Sequence, residues 1–177
     1  MRTHLSQSED MRRALIVGNL PALQTAAEGI AKDQWTPNLR SDWRPHVEAV
    51  RTAAHAAQTA VSLEAGARAF ADLGNACSSC HLLTGGPGSP RFPVPVAGST
   101  EAMVAHEIAT ERLWQGIVAP SDAAWGEGAD GLIAAPELAS DVKDVAQRAA
   151  HVRDWARLAK SAPANNRRLS SGQRARP

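Results

Sequence analysis

The ten residues "DLGNACSSCH" at 72–81 hold both cysteines of the chain, three apart, with a histidine directly after the second. Two Cys and six His placed at random along the chain would give Cys-x-x-Cys-His in roughly 4 of 10,000 arrangements, so the cluster reads as a motif. On a helix, positions three apart share a face, so Cys77 and Cys80 point the same way. Two thiols so placed reach one edge of a porphyrin, where each sulfur adds to one vinyl group. His81 then turns its imidazole beneath the iron. The chemistry expected of this spacing is covalent attachment of one c-type haem (haem c). Cys77 and Cys80 are the expected thioether anchors and His81 the proximal iron ligand.

Other uses of the motif ask for different surroundings. A thioredoxin-type dithiol follows a strand and opens a helix, where the dipole lowers the thiol pKa. Here the pair falls late in a helical stretch. A zinc site needs a fourth ligand, and adjacent Cys80 and His81 strain tetrahedral geometry. A disulfide closing so short a loop gains little chain entropy. A thiol-active or metal-binding protein stands as an alternative to the haem reading.

The chain has no Tyr, two Phe and five Trp, and alanine dominates. Strand-forming residues are sparse, so an all-α protein is expected. Apolar spacing predicts four helices up to the motif. Met1, Leu5, Ser8, Met11 and Leu15 form one stripe, ended at Gly18-Asn19, where Asn19 can cap the next helix. Leu20, Leu23, Ala27 and Ile30 mark the second, running to about Lys32. Ser41 is the expected N-cap of the third, with Pro45 in its first turn. Trp43, Val47, Val50, Ala54, Ala57 and Val61 follow along it. Leu63, Ala67, Phe70, Gly74, Cys77 and His81 continue the rhythm through the fourth, which would carry the motif on its buried face.

Short connections make residues 1–82 an expected antiparallel four-helix bundle, up-down-up-down. That topology sets the start of helix one beside the end of helix four. A sixth iron ligand would therefore come from "MRTH" at the start of the chain. His4 and Met1 are three apart, and both are competent ligands. His4 is the first candidate and Met1 the alternative.

With "AFADLGNACSSCH" closing the fourth helix and "MRTH" opening the first, residues 1–82 resemble cytochrome c′ and related four-helix-bundle cytochromes. In that group the haem motif ends the last helix. The resemblance implies iron that is five-coordinate in some members and takes a helix-one side chain in others. His4 and Met1 occupy the matching region.

Met1 and His4 recur as Met103 and His106, 103 − 1 = 102 positions on. The same offset pairs Glu9 with Glu111, Met11 with Leu113, Ala27 with Ala129, Gly29 with Gly131, Asp42 with Asp144 and Val50-Arg51 with Val152-Arg153. One unbroken register through three helices reads as a tandem duplication, resembling di-haem arrangements. Residues 101–161 are the expected second repeat, with Ser121 as an N-cap and Trp114 and Trp125 filling its core. It has three helices and no haem motif. Residues 83–100, "LTGGPGSPRFPVPVAGST", form a Gly/Pro-rich linker. Residues 162–177 are an expected disordered, basic tail with no acidic residue.

The function expected is one-electron transfer between redox partner proteins. No Ser-His-Asp set, carboxylate pair or phosphate loop argues for an enzyme. A haem protein that binds or senses gas through an open sixth position is the alternative. The formal net charge of +1 gives no reason to expect nucleic acid as partner. No 18-residue apolar run predicts a membrane span. Covalent haem attachment implies a periplasmic or other extracytoplasmic location, although the N-terminus is a poor secretory signal. Oligomeric state is open at this level.

Overall fold

A computed structural model describes residues 2–33, 39–84, 101–135 and 144–161. Met1, nearly all of the expected linker and the basic tail lie outside the described residues. The described residues form seven α-helices and no strand: α1 (Arg2–Ile16), α2 (Leu20–Ala31), α3 (Arg44–Gln58), α4 (Leu63–Thr84), α5 (Glu101–Val118), α6 (Asp122–Ala134) and α7 (Val145–Ser161). They pack as antiparallel pairs. The chain divides into two compact units, Met1–Thr84 and Gly85–Pro177.

In the first unit α1 packs on α2, α2 on α3 and α3 on α4, while α1 meets α4 along a shorter seam. The turn from α1 to α2 is written in three residues. Gly18 closes α1 at φ +71°, a left-handed conformation that glycine adopts freely. The Asn19 N–H then donates back to the Ala14 carbonyl at 2.8 Å, which ends the helix. The Asn19 side chain accepts from the Ala22 N–H at 3.0 Å and so starts α2. The core gathers Met11, Leu23, Ile30 and Leu73, each at most 2 % exposed, among small alanines from all four helices. Burying each large side chain contributes roughly 1.5–3 kcal/mol. Gly66 makes room for this: a Cβ there would lie 2.3 Å from Leu23 Cδ2.

Three local expectations differ. Ser41 opens a short 3-10 turn, Ser41–Trp43, and α3 starts only at Arg44, with Pro45 in its first turn as expected. Val61 is exposed because α3 stops at Gln58. In α4 the buried residues are Gly66, Ala69, Leu73, Gly74 and Ala76. Leu63 and Ala67 face solvent, so the buried stripe is turned by about one position from the expected one. The helix also runs on through the motif to Thr84.

In the second unit α5 packs on α6 and α6 on α7. Glycine lets the first pair approach backbone to backbone. A Cβ on Gly128 would lie 2.6 Å from the Leu113 nitrogen, and one on Gly116 2.7 Å from that of Trp125. Trp114 is buried and Trp125 half-buried. Met103 is exposed.

Several contacts of the first unit recur in the second, 102 positions on. The Asn19 cap returns as Ser121, whose hydroxyl accepts from the Ala124 N–H at 3.2 Å. Arg51 Nη2 donates to the Asp33 carbonyl at 2.9 Å, and Arg153 Nη2 to the Ala135 carbonyl at 3.2 Å. Ser8 Oγ donates to Leu5 O and Thr110 Oγ1 to Glu107 O, at 2.8 and 2.9 Å. Arg13 donates to Glu9 as Gln115 does to Glu111.

Candidate functional site

Cys77, Cys80 and His81 sit in the last two turns of α4. The helix reaches them unbroken because Gly85-Gly86-Pro87, the first strong breakers, come only after Thr84. Helical continuity places both cysteines on one face, and His81 one turn after Cys77 on the same stripe. The fully buried part of α4 ends at Ala76. From Cys77 to His81 every residue is half-buried, and Leu82 and Leu83 are exposed. The packing thus opens where the motif begins, leaving apolar surface beside it.

Both cysteines are free thiols. Cys77 packs against the core cluster. Burial first, then the neighbouring Cys80, push its thiol up to about 12. Burial alone raises the Cys80 thiol. Both cysteines are therefore neutral near pH 7. A nucleophilic dithiol needs the opposite shift, toward thiolate. The donor set suits a haem: two neutral thiols on one face, an imidazole beside them, and apolar residues at the rim. Among the described residues no group of three or more Cys, His, Asp or Glu side chains is arranged to hold a metal ion.

The antiparallel order brings the start of α1 to the end of the unit where α4 finishes. His4 lies there, half-buried on the first turns of α1. Its Nε2 hydrogen-bonds the Asp33 carboxylate, just past the end of α2. Arg51 on α3 holds Asp33 from the other side through its carbonyl. The structure therefore places Cys77, Cys80 and His81 together, and places His4 on a neighbouring helix with its ring turned to Asp33. Met1, the alternative ligand, falls outside the described residues.

Sequence reasoning missed Asp33 and Arg51. No spacing pattern links them to His4, since Asp33 lies 29 residues away and beyond a helix end. In the second unit the counterpart of Asp33 is Ala135. His106 accordingly lacks that carboxylate, and its buried Nε2 has no hydrogen-bond partner.

Among the described residues no helix is long and apolar enough to cross a membrane. No family model matches the chain, and no curated protein or solved structure gives a significant match to it.

Proposed function

We propose that this chain is a c-type cytochrome of the cytochrome c′-like kind, carrying one covalent haem and passing single electrons between redox proteins outside the cytoplasm. The first unit is then an up-down-up-down four-helix bundle. The second is a partial repeat of its first three helices, a reading supported by the hydrogen bonds that recur 102 positions on.

One observation carries the proposal: two neutral, half-buried cysteines share the last turns of α4, and a histidine follows at once. When bound, the haem supplies a reversible one-electron change at its iron. Cys77 and Cys80 hold the ring through sulfur, each thiol adding across one vinyl group with nothing left over. His81 gives the iron its proximal nitrogen. The core behind Cys77, built from Leu73, Ala76 and Met11, keeps water from that side of the site.

The sixth position falls to His4 or Met1 in this reading. His4 takes it through Nε2 only by giving up Asp33, and otherwise through Nδ1 with that hydrogen bond kept. That hydrogen bond favours a second reading, in which the iron stays five-coordinate and binds a small gas. A third use of the motif, as reactive dithiol, runs against the raised thiol pKa values.

The test is production in cells that carry a haem-attachment system, followed by a haem stain on a denaturing gel. A stained band at the mass of the chain supports the proposal, and C77A/C80A should abolish it. The ferrous optical spectrum then separates electron carriage, with low-spin six-coordinate iron, from gas binding, with high-spin iron.

A further inference from the structure

In α3 the buried stripe of Ala57, Ala54, Val50 and Val47 runs toward the start of the helix. One turn beyond Val47 it ends in Trp43. Positions four and seven apart share a helix face, so Trp43 stands on the same side as Val47 and Val50. Its backbone is in the right-handed helical region, so this register carries through the 3-10 turn that holds it. Yet Trp43 is half-buried, and it is not among the residues packed on the core cluster. A large apolar ring at the open end of a buried stripe is suited to contact with a group outside the core.

Antiparallel packing sets the level of Trp43. Helix α3 ends at Gln58 and α4 begins at Leu63, and the two pack together. Trp43 lies 58 − 43 = 15 positions back from the turn, and the position as far into α4 is 63 + 15 = 78. Both helices rise about 1.5 Å per residue, so Trp43 comes level with Ser78, inside the Cys77–His81 motif. On α4 the buried stripe gives out at the same level, with Ala76 buried and Cys77 and Cys80 half-buried. The two helices thus open together at the motif, one with two thiols and the other with an indole.

The second unit supplies a contrast. It has no haem motif, and the residue 102 positions on from Trp43 is Val145. At this position the large ring belongs to the unit that carries the cysteines. Arg40 takes one side of it. The Arg40 Cζ lies 5.7 Å from the ring centroid, and its guanidinium donates two hydrogen bonds to Asp42. The opposite face and the edge of the indole are left for another group.

We infer, on the haem reading above, that Trp43 is a wall of the haem site, its indole lying against the porphyrin that Cys77 and Cys80 anchor. There it keeps water from the ring and raises the reduction potential. Ferric haem carries one more positive charge than ferrous haem. Water favours the more charged state, so an apolar wall favours the ferrous one.

Hydroxyl-radical footprinting of the full chain tests the contact, with tryptophan oxidation read residue by residue by mass spectrometry. Chain made with a haem-attachment system is compared with chain made without one, after a haem stain on a denaturing gel. Expected is several-fold protection of Trp43 when haem is attached. Trp43→Val should then lower the ferrous-to-ferric ratio at a fixed applied potential by about three- to tenfold, and Trp43→Phe should keep most of it. Urea unfolding of the same variants separates a structural role, because an indole that only stabilises the bundle costs stability in Trp43→Val and leaves the ratio alone. A haem-carrying chain whose Trp43 oxidises as fast as in the haem-free chain overturns the inference and leaves the haem reading standing. So does an unmoved ratio in Trp43→Val. A chain that takes up no haem overturns both.

Discussion

The sharpest consequence of the site's packing concerns the reactivity of Cys77 before haem is attached. Burial and the neighbouring Cys80 move its thiol from 9.0 up to about 12. At pH 8 a thiol of pKa 9 is about one-tenth thiolate, whereas one of pKa 12 is about one part in 10,000. Since only the thiolate attacks, the haem-free, folded chain should alkylate at Cys77 about 1,000-fold more slowly than the same chain in urea. Cys80 should be slowed less, because burial is the sole cause of its shift. The assay is iodoacetamide labelling at pH 8, read cysteine by cysteine by mass spectrometry, with helicity checked in the same buffer. Linkage adds a second readout. Below about pH 9 the thiol is protonated in folded and unfolded chains alike, and its contribution to stability is intact. Between about 9 and 12 the unfolded chain gives up the proton first, so stability falls with rising pH, by at most about 4 kcal/mol. Thioether formation removes the thiol and with it this alkaline loss. If Cys77 in the folded chain labels within tenfold of the urea rate, the packing argument fails, and the reactive-dithiol reading gains.

Asp33→Ala frees His4 from its carboxylate. If His4 is the sixth ligand through Nε2, this raises the low-spin fraction of the ferrous spectrum, and His4→Ala abolishes it. If neither spectrum moves, His4 is not a ligand. Leu73→Ala empties a fully buried position beside the motif and should cost about 2–5 kcal/mol in urea unfolding of the first unit. Gly128→Ala drives a methyl against the Leu113 backbone and should cost about 1–3 kcal/mol in the second unit, with the haem spectrum unchanged. Asn19→Ala removes the cap of α2 and should cost about 1 kcal/mol in thermal melts.

Much of the helical layout was legible in the sequence, because it is dictated locally. Asn19 and Ser121 cap α2 and α6 with the hydrogen bonds their side chains offer. Pro45 sits where a missing N–H costs nothing. The face of α4 was less legible, for a physical reason. Ala65, Gly66, Ala67, Ala69 and Ala71 spread small residues around its first half, so more than one stripe can be buried. Gly66 makes room for Leu23 on the buried side, and that contact spans 43 residues of the chain. Ser41 lies in a 3-10 turn rather than capping α3, and the exposed Arg40–Asp42 pair at 2.9 Å spans it. At the site, the cysteines and His81 were evident because one helix carries them all. The His4–Asp33–Arg51 set was not, because it joins three helices and leaves no periodic trace.

The central claim is that two sulfurs and the adjacent imidazole hold one haem at the end of α4. Intact-mass spectrometry of the matured protein, taken after denaturation and thiol alkylation, addresses it most directly. Expected is the mass of the chain plus one haem, with neither Cys77 nor Cys80 alkylated and the absorbance of haem retained by the chain. A mass equal to the bare polypeptide with two alkyl groups added would contradict it.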